Sequence, residues 1–128
     1  MDRKEKAVEF HHKGYDCAQA VACAFSDVLD MDETMIFRAM EGFGFGMGAG
    51  KCTCGAISGA VMTLSLLSSK GYQEGHLSKP ETYARCSRMV DAFTSLHHGF
   101  HMCSDLKGKE CSCDQYIMDA VECVEKML

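Results

Sequence analysis

Apolar residues recur along this chain at the spacing of helices rather than of strands. The clearest case is an apolar set at positions i, i+3, i+4, i+7, i+8 and i+11, formed by Cys17, Ala20, Val21, Ala24, Phe25 and Val28. That spacing places all six side chains on one face of a helix. Alternating apolar and polar positions, which are typical of half-buried strands, are nearly absent. The pattern therefore predicts an all-α domain.

Capping residues and helix terminators divide this pattern into five to six helices. Asp16 is a good cap for the second helix, which makes Cys17 its first residue. Pro80 is expected at the first position of the fifth helix, where its missing N–H has no intrahelical partner to lose. The predicted helices cover about residues 3–13, 17–28, 32–41, 52–69, 80–98 and 113–128. We expect them to pack as one compact bundle and a single domain over residues 1–128.

Charge and composition exclude several classes of function. The chain has 18 acidic and 13 basic residues, a net charge of -5, and no basic cluster of the kind that nucleic-acid binding needs. Its longest apolar run, about residues 54–67, is shorter than the ~20 residues of a membrane span. The N-terminal residues lack the apolar run of a secretory signal, so we expect a cytoplasmic protein.

Nine cysteines among 128 residues are the main chemical feature of the composition. In a reducing compartment, clustered cysteines are more typical of metal ligands or reactive thiols than of structural disulfides. Ser-His-Asp and paired-carboxylate patterns for hydrolysis are not evident. The cysteines therefore direct the search for function to sulfur chemistry.

A glycine-rich tract, GFGFGMGAGKCTCGAISGA at residues 42–60, separates the third and fourth predicted helices. Its GAGKCT segment is similar to the end of a Walker A loop, but that motif needs glycine where this chain has Phe45 and serine or threonine where it has Cys52. No strand is predicted before it, which also argues against a dinucleotide loop. Cys52 and Cys54 stand where the tract enters a helix, and the N–H groups there favour a thiolate. We therefore favour sulfur chemistry over phosphate binding.

Three segments resemble the C_GCAxxG_C_C family, whose members are described as redox-active. They are GYDCAQAV at residues 14–21, CGAISG at residues 54–59 and HMCSDLKG at residues 101–108, and a fourth cysteine falls within KECSCDQYIMDAVE at residues 109–122. The resemblance extends from about residue 14 to residue 124, nearly the whole chain. It implies a redox function that depends on four cysteines.

The resemblance implies the positions of those four cysteines. They are Cys17, Cys54, Cys103 and Cys113, with Cys111 as the alternative to Cys113. A similar region occurs in split-Soret cytochromes, where an iron–sulfur centre accompanies the haems. This chain has no C-x-x-C-H motif, so haem attachment is not implied. Cys52 and Cys111 are additions to the family pattern, and each forms a C-x-C pair whose role stays open.

Four thiolates gathered from separate helices would repel one another unless a cation or disulfide formation relieved them. We therefore expect the four sulfurs to share one pocket and to bind an iron–sulfur cluster, for which a [2Fe–2S] centre suits four cysteines. Zinc is the alternative metal, although the chain has no C-x-x-C pair of the kind that structural zinc sites usually contain. Two alternative functions are a metal-free thiol–disulfide protein and a non-catalytic zinc-binding module. The redox partner protein is not identified by the sequence, and a homo-oligomer stays open.

The remaining cysteines and histidines have simpler interpretations. Buried thiols in helices account for Cys23, Cys86 and Cys123. The histidine cluster His97, His98 and His101 lies at a predicted helix end, where a positive imidazolium suits the helix dipole, and a ligand or proton-handling role near Cys103 is the alternative.

Overall fold

Seven α-helices form the fold in the computed structural model, which describes residues 1–109 and 111–128 and, at Gly75 and His76, the backbone alone. They are α1 (Arg3–His12), α2 (Cys17–Cys23), α3 (Glu33–Met40), α4 (Gly55–Ser68), α5 (Gly75–Leu96), α6 (Cys103–Leu106) and α7 (Cys113–Glu125). Within those described ranges there is no β-strand, and the all-α prediction is confirmed. The additional helix is α6, which lies between the fifth and sixth predicted helices, where no helix was expected. Glu110, in the same interval, lies outside the described residues.

The core forms around α2, of which six of the seven residues are buried. Three of them are alanines, so the backbones of the surrounding helices can approach closely. Helices α1, α3, α4 and α7 all contact α2, and its contact with α4 is the most extensive in the fold. This central position matters for function because Cys17 is the first residue of α2.

The predicted length of the second helix is wrong. After Cys23 the backbone changes to hydrogen bonds three residues apart, from Ser26 N–H to the Cys23 carbonyl and from Val28 N–H to the Phe25 carbonyl. These tighter turns keep Phe25 buried but leave Val28 43% exposed. Val28 therefore does not continue the buried face that the spacing predicted.

Two predicted helix starts are also wrong. Helix α4 begins at Gly55 rather than near Cys52, because residues 52–54 pair through their backbone with residues 101–103. Helix α5 begins at Gly75, so Pro80 lies inside the helix and simply omits one hydrogen bond of the ladder. At 22 residues α5 is the longest of the described helices, and none of these is both long and apolar enough to cross a membrane.

The predicted cap of α2 is confirmed, and it is a reciprocal one. The Asp16 carboxylate accepts a hydrogen bond of 2.8 Å from Gln19 N–H, and the Gln19 side-chain oxygen accepts one of 2.9 Å from Asp16 N–H. Both bonds satisfy N–H groups that the first turn of a helix leaves without partners. They also hold the backbone on which Cys17 is placed.

We expect Asp16→Ala to lower the free energy of unfolding by about 1–2 kcal/mol, because alanine accepts no hydrogen bond at the cap. Asp16→Asn, which retains a side-chain oxygen, should keep most of the stability. Urea unfolding followed by circular dichroism measures both variants. Equal losses for asparagine and alanine would show that the carboxylate charge, and not the cap, stabilises this helix start.

Candidate four-cysteine site

The four cysteines named from the sequence line one cavity of about 150 Å³, the cysteine cavity. Cys17, Cys103 and Cys113 are the first residues of α2, α6 and α7, and Cys54 immediately precedes α4. The structure therefore brings all four side chains to one place, each at the N-terminus of a helix. For Cys103 this was not predicted, because α6 was not.

A short backbone pairing joins Cys54 to Cys103. Thr53 and Met102 form an isolated antiparallel bridge, in which Cys54 N–H donates to the His101 carbonyl and Cys103 N–H donates to the Cys52 carbonyl, both at 2.7 Å. Gly46 packs against this pairing with a positive φ of 55°. A Cβ atom at Gly46 would lie 2.6 Å from the Cβ of Cys103, so glycine is required there.

Cys17 and Cys54 form a hydrogen-bonded pair of thiols. The bond from the Cys54 side chain lowers the pKa of Cys17 to about 6, against the opposing effect of burial, and the N–H groups of Phe45 and Ala18 lower it further. The same bond, with burial and the negative charge on Cys17, raises the pKa of Cys54. At neutral pH the pair therefore holds a thiolate at Cys17 and a thiol at Cys54.

The other two cysteines of the cavity are neutral thiols in this arrangement. Burial, followed by the charge on Cys17, raises the pKa of both Cys103 and Cys113, and the ammonium group of Lys107 opposes that rise. As the side chains stand, no three histidine, cysteine or carboxylate groups among residues 1–74, 77–109 and 111–128 are arranged to hold a single metal ion. The site combines one close dithiol pair with two further thiols on the same cavity.

A histidine–aspartate cluster, missed in the sequence, supports the start of α7. Asp114 follows Cys113 and accepts hydrogen bonds from His11 Nδ1 at 2.7 Å and from His12 Nε2 at 2.6 Å. Burial alone would raise the pKa of Asp114, but these two bonds outweigh it and lower the pKa. His11 also lines the cysteine cavity. No local motif could have shown this contact, because Asp114 and His11 are 103 residues apart.

The cysteines outside the cavity fall into two groups. Cys23 and Cys123 are buried and Cys86 is half-buried; burial raises the pKa of each thiol, to about 12 for Cys23. Cys52 and Cys111 are half-buried and do not line the cavity, although each lies two residues from a cysteine that does. Of the two candidates for the fourth position, the structure thus places Cys113 at the cavity.

The histidine cluster at the end of α5 does not reach the cavity lining that the structure describes. His97 is buried and its Nε2 atom lies 2.8 Å from the Asp119 carboxylate, with its ring against Tyr116. His101 contributes its backbone carbonyl, which accepts the hydrogen bond from Cys54 N–H. The cluster therefore contributes to packing and backbone pairing around the site.

The arrangement of cysteines agrees with a family defined by cysteine positions. The family model described as "Putative redox-active protein (C_GCAxxG_C_C)" matches residues 15–127. The chain belongs to this family. The resemblance to the C_GCAxxG_C_C family seen in the sequence is thus confirmed, and with it the description as a redox-active protein with several cysteines. No curated protein and no solved structure shows a significant match to the chain.

The lowered pKa of Cys17 in this C_GCAxxG_C_C protein predicts a specific pH profile. A thiol reacts as its thiolate, so alkylation of Cys17 by iodoacetamide should rise through about pH 6 and level off above it. At pH 7 about nine-tenths of Cys17 would be thiolate, against a few per cent for an unperturbed thiol. Mass spectrometry of the metal-free chain measures the rate, with Cys86 as a control that stays slow at neutral pH. A midpoint above pH 8 would contradict the assignment.

Proposed function

We propose that Cys17, Cys54, Cys103 and Cys113 bind an iron–sulfur cluster, most simply [2Fe–2S], for electron transfer or redox sensing. One observation supports this proposal above the others: the four thiols line a single cavity of about 150 Å³ although they come from four different parts of the chain. Four thiolates are the usual ligand set of a [2Fe–2S] cluster. The donor set of the cavity therefore fits this cofactor.

The size of the cavity and its surroundings also fit. A cavity of about 150 Å³ has room for a benzene-sized molecule, and a core of two iron and two sulfide ions is no larger than that. Cys17, Cys54, Cys103 and Cys113 together would hold a [2Fe–2S] cluster, which does not require three ligands around one point. When bound, the cluster would supply one-electron redox chemistry.

The chain itself would stabilise the negative charge of such a centre. Backbone N–H groups of Phe45 and Ala18 are close enough to Cys17 to lower the pKa of its thiol, and those of Ala56 and Ile57 act in the same direction on the pKa of Cys54. Hydrogen bonds to sulfur and low exposure to water are among the factors that set the reduction potential of a cluster. The electron donor and acceptor are expected to be separate redox partners.

The test is the colour and metal content of the protein purified without oxygen. A cluster gives sulfur-to-iron charge-transfer bands in the visible range and about two iron and two sulfide ions per chain. A colourless protein with one zinc per chain would support a zinc-binding module instead. A colourless protein that binds no iron after reconstitution with iron and sulfide would contradict the proposal.

The contact between Cys17 and Cys54 favours a second candidate, a metal-free dithiol. The Cys17 thiolate would attack a disulfide acceptor and release one thiolate, and Cys54 would then lose its proton and displace the second. The products are a Cys17–Cys54 disulfide and two molecules of reduced thiol, so two electrons pass to the acceptor. Mass mapping after mild oxidation tests this candidate, and it fails if Cys17 and Cys54 do not become linked.

A further inference from the structure

The mouth of the cysteine cavity is formed by two residues from separate segments. Among the described residues that line the cavity, Phe45 and Lys107 are the two that are exposed to solvent. The Lys107 ammonium lies over the Phe45 ring, 4.3 Å from its centroid, which is the geometry of a cation–π contact. Phe45 belongs to the glycine-rich tract and Lys107 follows α6, so their contact joins two separate segments at the mouth of the cavity.

Phe45 is held over the cavity by an unusual backbone. Its φ of 54° lies in the left-handed region, which is unfavourable for a residue with a side chain. Two contacts accompany this conformation: the Phe45 N–H is close enough to Cys17 to lower the pKa of its thiol, and the Phe45 ring packs on Gly50, where a Cβ atom would lie 2.6 Å from the ring. The backbone of Phe45 thus lies close to Cys17, and Phe45 lines the same cavity.

Lys107 is tied to the same site through Cys103. Its backbone N–H donates to the Cys103 carbonyl at 2.8 Å. Its ammonium group is close enough to Cys103 and Cys113 to act on both thiols. The two residues at the mouth are therefore each anchored to a cysteine of the cavity and meet each other above it.

We propose that Phe45 and Lys107 form a size-selective gate over the cysteine cavity. This inference rests on the redox function proposed above and limits the size of the molecules that can react directly at the four cysteines. With the gate in place, the cavity has room for a molecule of about benzene size. Direct reaction at the sulfurs is therefore limited to small molecules of a few heavy atoms, such as dioxygen, peroxide or a small thiol, and excludes the cysteines of folded proteins.

The gate can be tested on the reduced, metal-free, full-length chain with two alkylating probes that share one reactive group, iodoacetamide and fluorescein iodoacetamide. The measured quantity is the alkylation rate with the bulky probe divided by the rate with the small probe at Cys17. The same ratio at Cys52, which is half-buried but lies outside the cavity, is the reference within the same molecule. We expect the ratio at Cys17 to be at least about tenfold lower than at Cys52, since the bulky probe must wait for the gate to open.

Matched variants separate a gate from general shielding. Phe45→Ala should bring the ratio at Cys17 to within about threefold of that at Cys52, because the opening then no longer depends on local motion. Phe43→Ala, on the same tract but outside the cavity lining, should leave the ratio at Cys17 unchanged. Lys107→Gln should raise this ratio, whereas Lys109→Gln, also outside the lining, should not. Circular dichroism checks that each variant is folded.

Equal ratios at Cys17 and Cys52 in the wild-type chain would overturn the gate. Equal effects of Phe45→Ala and Phe43→Ala would do the same. Because the labelling uses metal-free protein, these outcomes do not depend on whether the chain binds iron. Conversely, a protein without iron could still show the gate, so failure of the inference and failure of the proposed function are distinguishable.

Discussion

Cys54→Ser is expected to remove the visible absorption and the iron of the proposed cluster, whereas Cys52→Ser is expected to leave both. The two cysteines are two residues apart, but only Cys54 lines the cysteine cavity. Mutation of a residue that merely orients a metal ligand typically lowers metal affinity by ~10–100-fold, and loss of the ligand itself should lower it at least as much. Iron per chain and absorption after anaerobic purification measure the effect.

The second C-x-C pair provides an independent version of this comparison. Cys113→Ser should lose the iron while Cys111→Ser retains it, because Cys113 lines the cavity and Cys111 does not. Cys86→Ser, in α5, serves as the control for replacing a half-buried thiol elsewhere. If the members of a pair lost iron equally, or if Cys52→Ser lost more than Cys54→Ser, the proposed ligand set would be wrong.

Local sequence signals were sufficient to predict how one helix of the candidate site begins. An aspartate before an apolar helix is a capping signal, and it predicted both the start of α2 and the position of Cys17 within it. These features depend on neighbouring residues, which is why a single sequence contains them.

Features that depend on distant residues could not be predicted. The pairing of Thr53 with Met102 determines where α4 begins, and neither segment alone contains a strand signal. The bonds from His11 and His12 to Asp114 join α1 to α7, at opposite ends of the chain. Such contacts form only when the helices have packed, so their residues carry no pattern in advance.

The errors in helix length have a related cause. Helical spacing alone favoured an α2 that continued to Val28, yet the chain turns after Cys23 and leaves Val28 exposed. The early turn keeps α2 short enough to be surrounded by its neighbours. A short α2 also means that a small displacement of this helix moves Cys17, so the stability of the fold and the geometry of the site are linked.

Gly59 is where that link should be strongest. It lies in α4 against α2, and an added Cβ atom would meet the Ala18 carbonyl oxygen at 2.6 Å and the Val21 Cβ at 3.1 Å. Both contacts are with α2, which is buried among four other helices, so any shift of α2 disturbs its packing. We expect Gly59→Ala to lower the free energy of unfolding by about 2 kcal/mol or more, since overpacking of this kind typically costs ~1–3 kcal/mol.

Helix propensity predicts the opposite sign, because alanine in a helix interior is favoured over glycine by about 1 kcal/mol. Gly42→Ala is the matched control: an added Cβ atom there meets nothing within 4 Å, so this variant should be as stable as the wild type or slightly more stable. Urea unfolding of both variants decides between packing and propensity.

If α2 is pushed from α4, Cys17 also moves from Cys54, and alkylation of Cys17 at neutral pH should slow in Gly59→Ala but not in Gly42→Ala. A stable Gly59→Ala variant with unchanged Cys17 reactivity would show that the α2–α4 contact does not control the site.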